Sequence, residues 1–297
     1  MLKKIDCLSD KQTLYDYFCK VSESIPYLFH VDFDIWNTSM FHESDDGIPR
    51  FSELETYLLY EDTKVKGFIQ FDITNYVIND DGTERDFNNH YAKIRNIYFD
   101  EDSKNPEQLM NVAMDFFAEK GVREISMDCQ YKFKFGMKCY GGYDLLPGSV
   151  PHIRDLLKRY SFDGDDSDDT TVHTKDLNGL EFGFAPEIIC EATDVDSQFR
   201  INRNVIGINF LHNGGKIGTS VIDVHYEGVC RLVYLMMNEE LRGLGYGSRC
   251  MNNVFHILKA KGIRQINTET YTAAGFYAKL GFVKTGIWRG YTWQIID

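Results

Sequence analysis

Three glycines stand at alternate positions, Gly243, Gly245 and Gly247, where an apolar run ending at Met237 gives way to a helical pattern. Glycine is costly inside a helix because it loses the most backbone freedom on folding. At a helix start, however, it lets an anion approach N–H groups that have no intrahelical partner and that carry the positive end of the helix dipole. The spacing therefore indicates a site for a phosphate or pyrophosphate.

Three phosphate-binding patterns can be compared with this corner. A P-loop ends in Gly-Lys-Ser/Thr, but Gly247 is followed by Ser248 and Arg249. A dinucleotide fingerprint needs Gly-x-Gly-x-x-Gly, and alternate glycines do not provide that spacing. The remaining match is Arg-x-x-Gly-x-Gly, which begins at Arg242. A structural turn without a ligand is the alternative interpretation.

The elements around the corner occur twice along the chain. "FFAEKGVREISMD" (116–128) and "HILKAKGIRQINTE" (256–269) each combine an amphipathic helix, a Lys-Gly stop and an alternating strand. A strand-like run precedes each helix, "AKIRNIYFD" (92–100) in one case and "CRLVYLMMN" (230–238) in the other. The repetition predicts two similar α/β domains in tandem.

The domain boundary is expected near residue 178, which gives domains 1–178 and 179–297. This choice makes "TTVHTKDL" (170–177) the last strand of the first domain. "YKFKFGMKCYGGYDLLPGSV" (131–150) interrupts the first domain only, and we expect an ordered loop there that lines a substrate site or packs in a homodimer.

Beyond the corner, "FYAKLGF" (276–282) follows a further strand. Strand, glycine loop, helix, strand, helix and Gly-Phe turn in this order resemble the GNAT superfamily of N-acetyltransferases. The resemblance implies an α/β (α+β) fold of two tandem GNAT-like domains, each with a mixed, mostly antiparallel central sheet flanked by helices. It also implies acetyl-CoA as co-substrate, no metal, and acetyl transfer to the primary amine of a small molecule or amino-acid-like acceptor. A non-catalytic coenzyme-A-binding regulatory module is the alternative function, and a longer acyl donor remains open.

The same resemblance assigns the coenzyme to residues of the second domain. The pyrophosphate is assigned to the loop Arg242, Gly243, Leu244, Gly245, Tyr246, Gly247 and Ser248. The pantetheine arm is assigned to the strand edge at Leu235, Met236 and Met237. Thr270 stands where the family often has an asparagine that contacts this arm, and the departure weakens that one contact.

The catalytic assignments rest on the resemblance too. The Met237 N–H is the candidate donor to the acetyl carbonyl, and Tyr277 is the candidate acid that protonates the departing thiolate. A tyrosine in a helix also occurs through amphipathic packing alone. For the base, Glu269 and a water route are both considered, while Glu239 and Glu240 are expected to face solvent or shape the corner.

The first domain lacks these signatures. After "AKIRNIYFDE" comes "DSKNPEQLM", without glycine, and Pro106 starts the helix without an N–H to donate. Leu157 stands where the second domain has Tyr277. We therefore expect a degenerate, non-catalytic GNAT-like domain without the acetyl-CoA loop, which builds or covers part of the acceptor site.

Composition excludes some partners. A formal net charge of −13 argues against a nucleic-acid surface, which needs a basic patch. No stretch of about 18 apolar residues occurs, so we expect no membrane span. "MLKKIDCLSDKQTLYDYF" (1–18) has a pair of lysines near its start but no apolar stretch of signal-peptide length, so we expect no signal peptide. The seven cysteines form no Cys-x-x-Cys pair, which favours reduced thiols in the cytoplasm.

Overall fold

The structure, a computed structural model, describes residues 1–25, 32–41, 44–45, 48–49, 51–75, 77–78, 85–86, 91–127, 146–147, 150–164, 170–193, 205–224, 228–270 and 272–295. The chain forms two compact units. The first unit contains Met1–Asp169 together with Gly286–Asp297, and the second contains Thr170–Thr285. No helix in the described ranges is long and apolar enough to cross a membrane.

The first unit is built on a six-stranded sheet. Its helices are α1 (Leu8–Ser24), α2 (Phe33–Phe41), α3 (Glu107–Glu119) and α4 (Pro151–Arg159). Its strands are β1 (Leu2–Lys4), β2 (Ser44–Asp45), β3 (Ile48–Pro49), β4 (Phe51–Glu61), β5 (Lys64–Thr74), β6 (Val77–Ile78), β7 (Arg85–Asp86), β8 (Tyr91–Phe99), β9 (Glu124–Ser126), β10 (Leu146–Pro147) and, near the C-terminal end, β18 (Thr292–Gln294). The order across the sheet is β1-β4-β5-β8-β9-β18. Among the described strands of this sheet, β8 and β9 alone run parallel, with α3 as the crossover between them.

The second unit has a larger mixed sheet. Its strands are β11 (Thr170–Asp176), β12 (Ile189–Thr193), β13 (Val205–His212), β14 (Gly215–Val224), β15 (Val229–Met237), β16 (Gln265–Thr270) and β17 (Val283–Arg289), whose last residues belong to the first unit. The order is β17-β11-β16-β15-β14-β13-β12. Two helices, α5 (Tyr246–Ala260) and α6 (Ala274–Lys279), pack on it. The side chains of α5 that are buried against this sheet are Cys250, Met251, Val254, Phe255 and Leu258.

Local sequence signals account for the helix ends. Gly121 follows α3 and Gly262 follows α5, both in the left-handed region, with φ of 67° and 78°. The N–H of the next residue then closes back on the helix, as in the 3.0 Å hydrogen bond from Ile263 to the Leu258 carbonyl. The predicted helix stops are therefore confirmed as left-handed glycine caps.

One strand assignment from the sequence is wrong. Thr170–Asp176, predicted as the last strand of the first domain, pairs antiparallel with β16 of the second unit along its length, from Thr171 opposite Thr270 to Asp176 opposite Gln265. The compact units accordingly divide before Thr170, against the expected division after residue 178. The loop predicted over 131–150 lies almost entirely outside the described residues.

The predicted repeat extends to details of the two sheets. Gly67 in β5 lies opposite Phe99, and Gly218 in β14 lies opposite Met237. A register shift follows in both pairs of strands, so that Arg95 in β8 and Val233 in β15 are the additional residues of a β-bulge. The two units thus share one structural plan, which allows their corners to be compared position by position.

Candidate functional site

The candidate site begins at a fork between two parallel strands. β15 pairs with β16 from Val229 opposite Gln265 to Leu232 opposite Thr268. Beyond Leu232 the described pairing with β16 ends, although β15 continues to Met237 beside β14. Among the described residues, no strand pairs with Leu235 to Met237 on the side of β15 that faces β16. Such an edge offers backbone groups to an extended ligand.

Two backbone amides of the predicted set point to this open edge. The Asn238 N–H donates to the Ile217 carbonyl at 2.9 Å, so residue 238 faces β14. Because backbone groups alternate between the two sides of a strand, Met236 also faces β14, whereas Leu235 and Met237 face the fork. The Met237 carbonyl, which points away from β14, accepts a hydrogen bond from Arg242 Nε at 3.3 Å. The Met236 side chain is 58% exposed.

The glycine corner joins β15 to α5. A 3₁₀ turn, Glu239–Leu241, leads into Gly243 and Gly245, which have φ values of 80° and 83°. Both are left-handed conformations that favour glycine, and a Cβ added to either would meet nothing within 4 Å. Gly245 is the N-cap of α5. Among the described residues, no side chain caps the N-terminus of this helix. The corner thus combines open space with uncapped helix N–H groups, as an anion site requires.

The remaining loop residues have different surroundings. A Cβ on Gly247 would lie 3.3 Å from the Phe276 ring and 3.7 Å from Met237 Cγ, so the absence of a side chain here allows close packing. Leu244 is 62% exposed. Arg242, Glu239 and Glu240 are also exposed, in agreement with the expectation that the two acids face solvent. Tyr246 and Ser248 lie half-buried in the first turn of α5.

Tyr277 lies at the apex of the fork. Its side chain is 6% exposed, and its hydroxyl lies beside the side chain of Thr268, the last residue of β16 that pairs with β15. Burial raises the pKa of Tyr277 above its ordinary value, and the neighbouring Thr268 side chain opposes this increase. The phenol therefore stays protonated at neutral pH and can act as a proton donor.

Glu269 lies one residue beyond the fork and is part of an ion pair. Its Oε2 is 3.4 Å from the Arg231 guanidinium, and both side chains are nearly buried, at 8% and 10% exposure. The sequence indicates this carboxylate as a candidate base but does not indicate its cationic neighbour. The positive charge of Arg231 therefore lies directly beside the candidate base.

Thr270 has a local structural role. Its Oγ1 accepts the backbone N–H groups of Thr272 and Ala273, at 3.2 and 2.8 Å, immediately before α6 begins. These bonds hold the start of the helix that carries Tyr277. A contact of Thr270 with a coenzyme arm stays a prediction.

The corresponding positions of the first unit differ as predicted. Pro106 is the N-cap of α3, where the second unit has Gly245. Leu157 is fully buried, and its carbonyl accepts the Phe162 N–H at 3.1 Å, as the Tyr277 carbonyl accepts the Phe282 N–H at 3.0 Å. Leu157 therefore occupies the Tyr277 position with a side chain that has no acidic proton.

Two side chains near Tyr277 were missed from the sequence. Thr268 lies beside the tyrosine hydroxyl, and His173 of β11 lies with its ring centroid 6.3 Å from that of Tyr277. Burial, followed by the charge of Lys284, lowers the pKa of His173. Neither residue belongs to a short motif, and β11 was assigned to the other domain, so no local pattern indicated them.

Comparisons with known proteins concern the domain that carries this site. Residues 207–284 match the family model described as the acetyltransferase (GNAT) domain. A search of curated proteins gives no match.

Solved structures resemble the whole chain. A tandem GNAT protein from the clavulanic acid biosynthesis pathway aligns with a TM-score of 0.66 at 11% identity, over 100% of both chains. A GCN5-related N-acetyltransferase from Sphaerobacter thermophilus gives 0.61 at 8% identity, over 100% of this chain and 96% of the other. A GCN5-related glucosamine N-acetyltransferase region of a fungal multi-domain GH3 beta-N-acetylglucosaminidase gives 0.63 at 11% identity, over 99% of this chain and 38% of that one. At these identities the likeness shows the fold, and it confirms the predicted tandem arrangement.

Proposed function

We propose that this protein is an acetyl-CoA-dependent N-acetyltransferase, because residues 207–284 match the acetyltransferase (GNAT) domain model and the chain has the tandem GNAT fold. The acceptor we propose is the primary amine of a small molecule or amino-acid-like compound. The observation that carries the proposal is the fork between β15 and β16, with an uncapped glycine corner at its mouth and a buried tyrosine at its apex.

The coenzyme is proposed to lie along this fork. Backbone N–H groups from Gly243 to Ser248 bind the pyrophosphate, with Arg242 adding positive charge at the rim. The open strand edge at Leu235 and Met237 binds the pantetheine arm by main-chain hydrogen bonds. We assign the Met237 N–H to the acetyl carbonyl, where it stabilises the oxyanion.

Acetyl transfer then needs two proton movements. The neutral amine attacks the thioester carbonyl, the C–N bond forms, and the C–S bond breaks as the tetrahedral intermediate collapses. Tyr277 gives its proton to the departing thiolate. The proton lost by the amine passes to water or to Glu269, which lies just beyond the fork.

We expect Glu269→Gln to lower kcat about tenfold and to remove the acidic limb of the rate–pH profile, because glutamine keeps the shape but accepts no proton. The measurement is kcat from about pH 5.5 to 9, with the unfolding temperature as control, since the change leaves Arg231 without its carboxylate partner. An unaltered profile would assign proton removal to water.

The function itself is tested by the release of free thiol from acetyl-CoA across a panel of amines. The panel should include amino acids, polyamines and an amino sugar, the last because one structural neighbour is a glucosamine N-acetyltransferase region. We expect acetyl-CoA to be consumed only with particular amines. Tight binding of acetyl-CoA without turnover on any amine would instead identify a non-catalytic coenzyme-A-binding module.

We also propose a reducing compartment, the cytoplasm, as the location of this protein. The cysteines in the described ranges, Cys7, Cys19, Cys190, Cys230 and Cys250, are all free thiols. Burial raises the pKa of Cys230 and Cys250, which keeps these two thiols protonated and unreactive.

A further inference from the structure

The corner of the first unit contains a carboxylate from its own chain. Glu61 ends β4, and its Oε1 accepts the Lys104 N–H at 2.6 Å and the Ser103 hydroxyl at 2.9 Å. Desolvation acts to raise the pKa of Glu61, but hydrogen bonds from Lys104, Ser103 and the Asn105 backbone outweigh it and hold the pKa below its ordinary value. These backbone donors lie immediately before α3, where a bound phosphate would need them.

Glu61 has a definite counterpart in the second unit. Glu61 pairs with Lys64 across a two-residue turn, and His212 pairs with Gly215 across another. Both turns begin with a left-handed residue, at φ 54° and 51°. The glycine that faces the end of the next strand follows six residues later in each case, Gly67 after Glu61 and Gly218 after His212. Residues 61 and 212 therefore hold the same position.

The two corners also start identically and then differ in length. The Asp100 N–H donates to the Lys66 carbonyl at 2.8 Å, as the Asn238 N–H donates to the Ile217 carbonyl at 2.9 Å. The following turns end at Ser103 and Leu241, whose N–H groups donate to the Asp100 and Asn238 carbonyls at 2.9 and 3.0 Å. Two residues, 104–105, then precede the N-cap in the first unit, against three, 242–244, in the second.

His212 lies at the rim of the second corner. Its ring packs edge-on against Tyr246, the first residue of α5, with centroids 5.3 Å apart. Its Nδ1 is 3.1 Å from the Glu187 carbonyl, which fixes the proton on that nitrogen and leaves Nε2 as the other polar atom. The first unit therefore has the carboxylate of Glu61 at this position, whereas the second unit has His212, which carries no negative charge.

We propose that one residue in each unit decides whether its corner can bind an external phosphate. This residue comes directly before a hairpin turn: Glu61 before the turn from β4 to β5, and His212 before the turn from β13 to β14. Glu61 is an internal ligand that occupies the backbone donors of the first corner. His212 leaves the second corner open to the coenzyme's pyrophosphate. The statement about His212 rests on the proposed function, whereas the statement about Glu61 does not.

The Glu61 part is tested without coenzyme, by thermal unfolding of Glu61→Ala with and without inorganic phosphate. Loss of a group that binds backbone N–H donors should lower the unfolding temperature by about 3 °C. Phosphate should restore part of this loss by binding the vacated donors. Glu101→Ala is the matched control, because it removes the same charge from an exposed residue of the same turn. Equal behaviour of the two variants, in stability and in response to phosphate, would overturn this part.

The His212 part is tested by calorimetry with acetyl-CoA. We expect one molecule bound per wild-type chain, an affinity within about threefold of wild type for His212→Gln, and at least a 20-fold loss for His212→Glu. Asn213→Asp is the charge control, since it adds the same charge at the adjacent exposed residue, and its loss should stay under about fivefold. Equal losses for His212→Glu and Asn213→Asp, or two molecules bound per wild-type chain, would overturn the proposal. If the wild type binds no acetyl-CoA, the proposed function fails and the His212 part fails with it, while the Glu61 experiment still decides its own part.

Discussion

Replacing Gly245 with valine should weaken acetyl-CoA binding at least 100-fold, which corresponds to about 2.7 kcal/mol of binding free energy. Gly245 has φ 83° and faces open space, with nothing within 4 Å of the position that a Cβ would take. A branched side chain would stand in the space that the pyrophosphate is proposed to fill. Isothermal calorimetry with acetyl-CoA measures the effect directly.

A matched control separates this blockage from backbone strain. Gly262, at the other end of α5, also has open space around it and φ 78°. Valine at either position imposes left-handed strain of about 1–2 kcal/mol or more, so both variants should unfold at a lower temperature. Only the Gly245 variant should lose coenzyme affinity. Equal losses of acetyl-CoA affinity in the two variants would show that the effect comes from distortion of α5. Full affinity in Gly245→Val would show that this corner does not bind the coenzyme.

The alternate glycines show how far a local pattern determines a site. Their spacing predicts a strand ending at Met237 and a helix starting near Gly245, and the structure confirms both. The spacing suggests that all three glycines serve the same purpose, the approach of an anion, but the structure shows two different surroundings. Gly243 and Gly245 provide left-handed turns beside open space, whereas Gly247 allows close packing on Phe276. Packing of this kind depends on a helix that follows 27 residues later, so the local pattern could not indicate it.

Strand pairing across long separations cannot be predicted from a local pattern for a related reason. The residues of Thr170–Asp176 predict a strand, and the structure contains it, but a strand prediction says nothing about the partner. The observed partner, β16, lies about 90 residues further along the chain, at Gln265–Thr270. The wrong assignment of this strand also separates His173 from the residues expected near Tyr277.

The internal repeat also includes pairs of residues within the strands. Gly67 and Asp72 are separated by the same five positions as Gly218 and Asp223, and each aspartate lies opposite a basic residue, Lys93 or Arg231. Both glycines are sterically required, because a Cβ would lie 2.7 Å from Phe99 Cβ in one unit and 2.5 Å from the Met236 carbonyl in the other. The spacing of these pairs is visible in the sequence, and an alignment of the two units on them matches residue 61 with residue 212. The equivalence of these two positions is therefore predictable from the sequence, whereas the hydrogen bonds that Glu61 accepts are not.

Replacing Tyr277 with phenylalanine should lower kcat about 100-fold and leave the KM for acetyl-CoA within about threefold. General acid catalysis commonly contributes this much, and phenylalanine preserves the ring packing against Phe276 and Phe282 while removing the only proton that the side chain can donate. Steady-state kinetics with the best amine from the panel measure both constants. Tyr160→Phe is the control, because it removes a hydroxyl hydrogen-bonded to Asn111 at 2.6 Å in the first unit and should leave kcat unchanged.

The pH dependence distinguishes proton donation from packing. Because burial raises the pKa of Tyr277 above its ordinary value, its phenol remains protonated from about pH 7 to pH 9, and the ratio of wild-type to Tyr277→Phe rates should be constant over this range. The ratio should fall only as the pH approaches the raised pKa, where the wild-type enzyme also loses its acid. A kcat for Tyr277→Phe equal to that of the wild type would exclude the acid role. In that case the aromatic-Tyr-x-Lys-x-Gly-Phe pattern would describe helix packing alone, and the thiolate would have to leave unprotonated or take its proton from water.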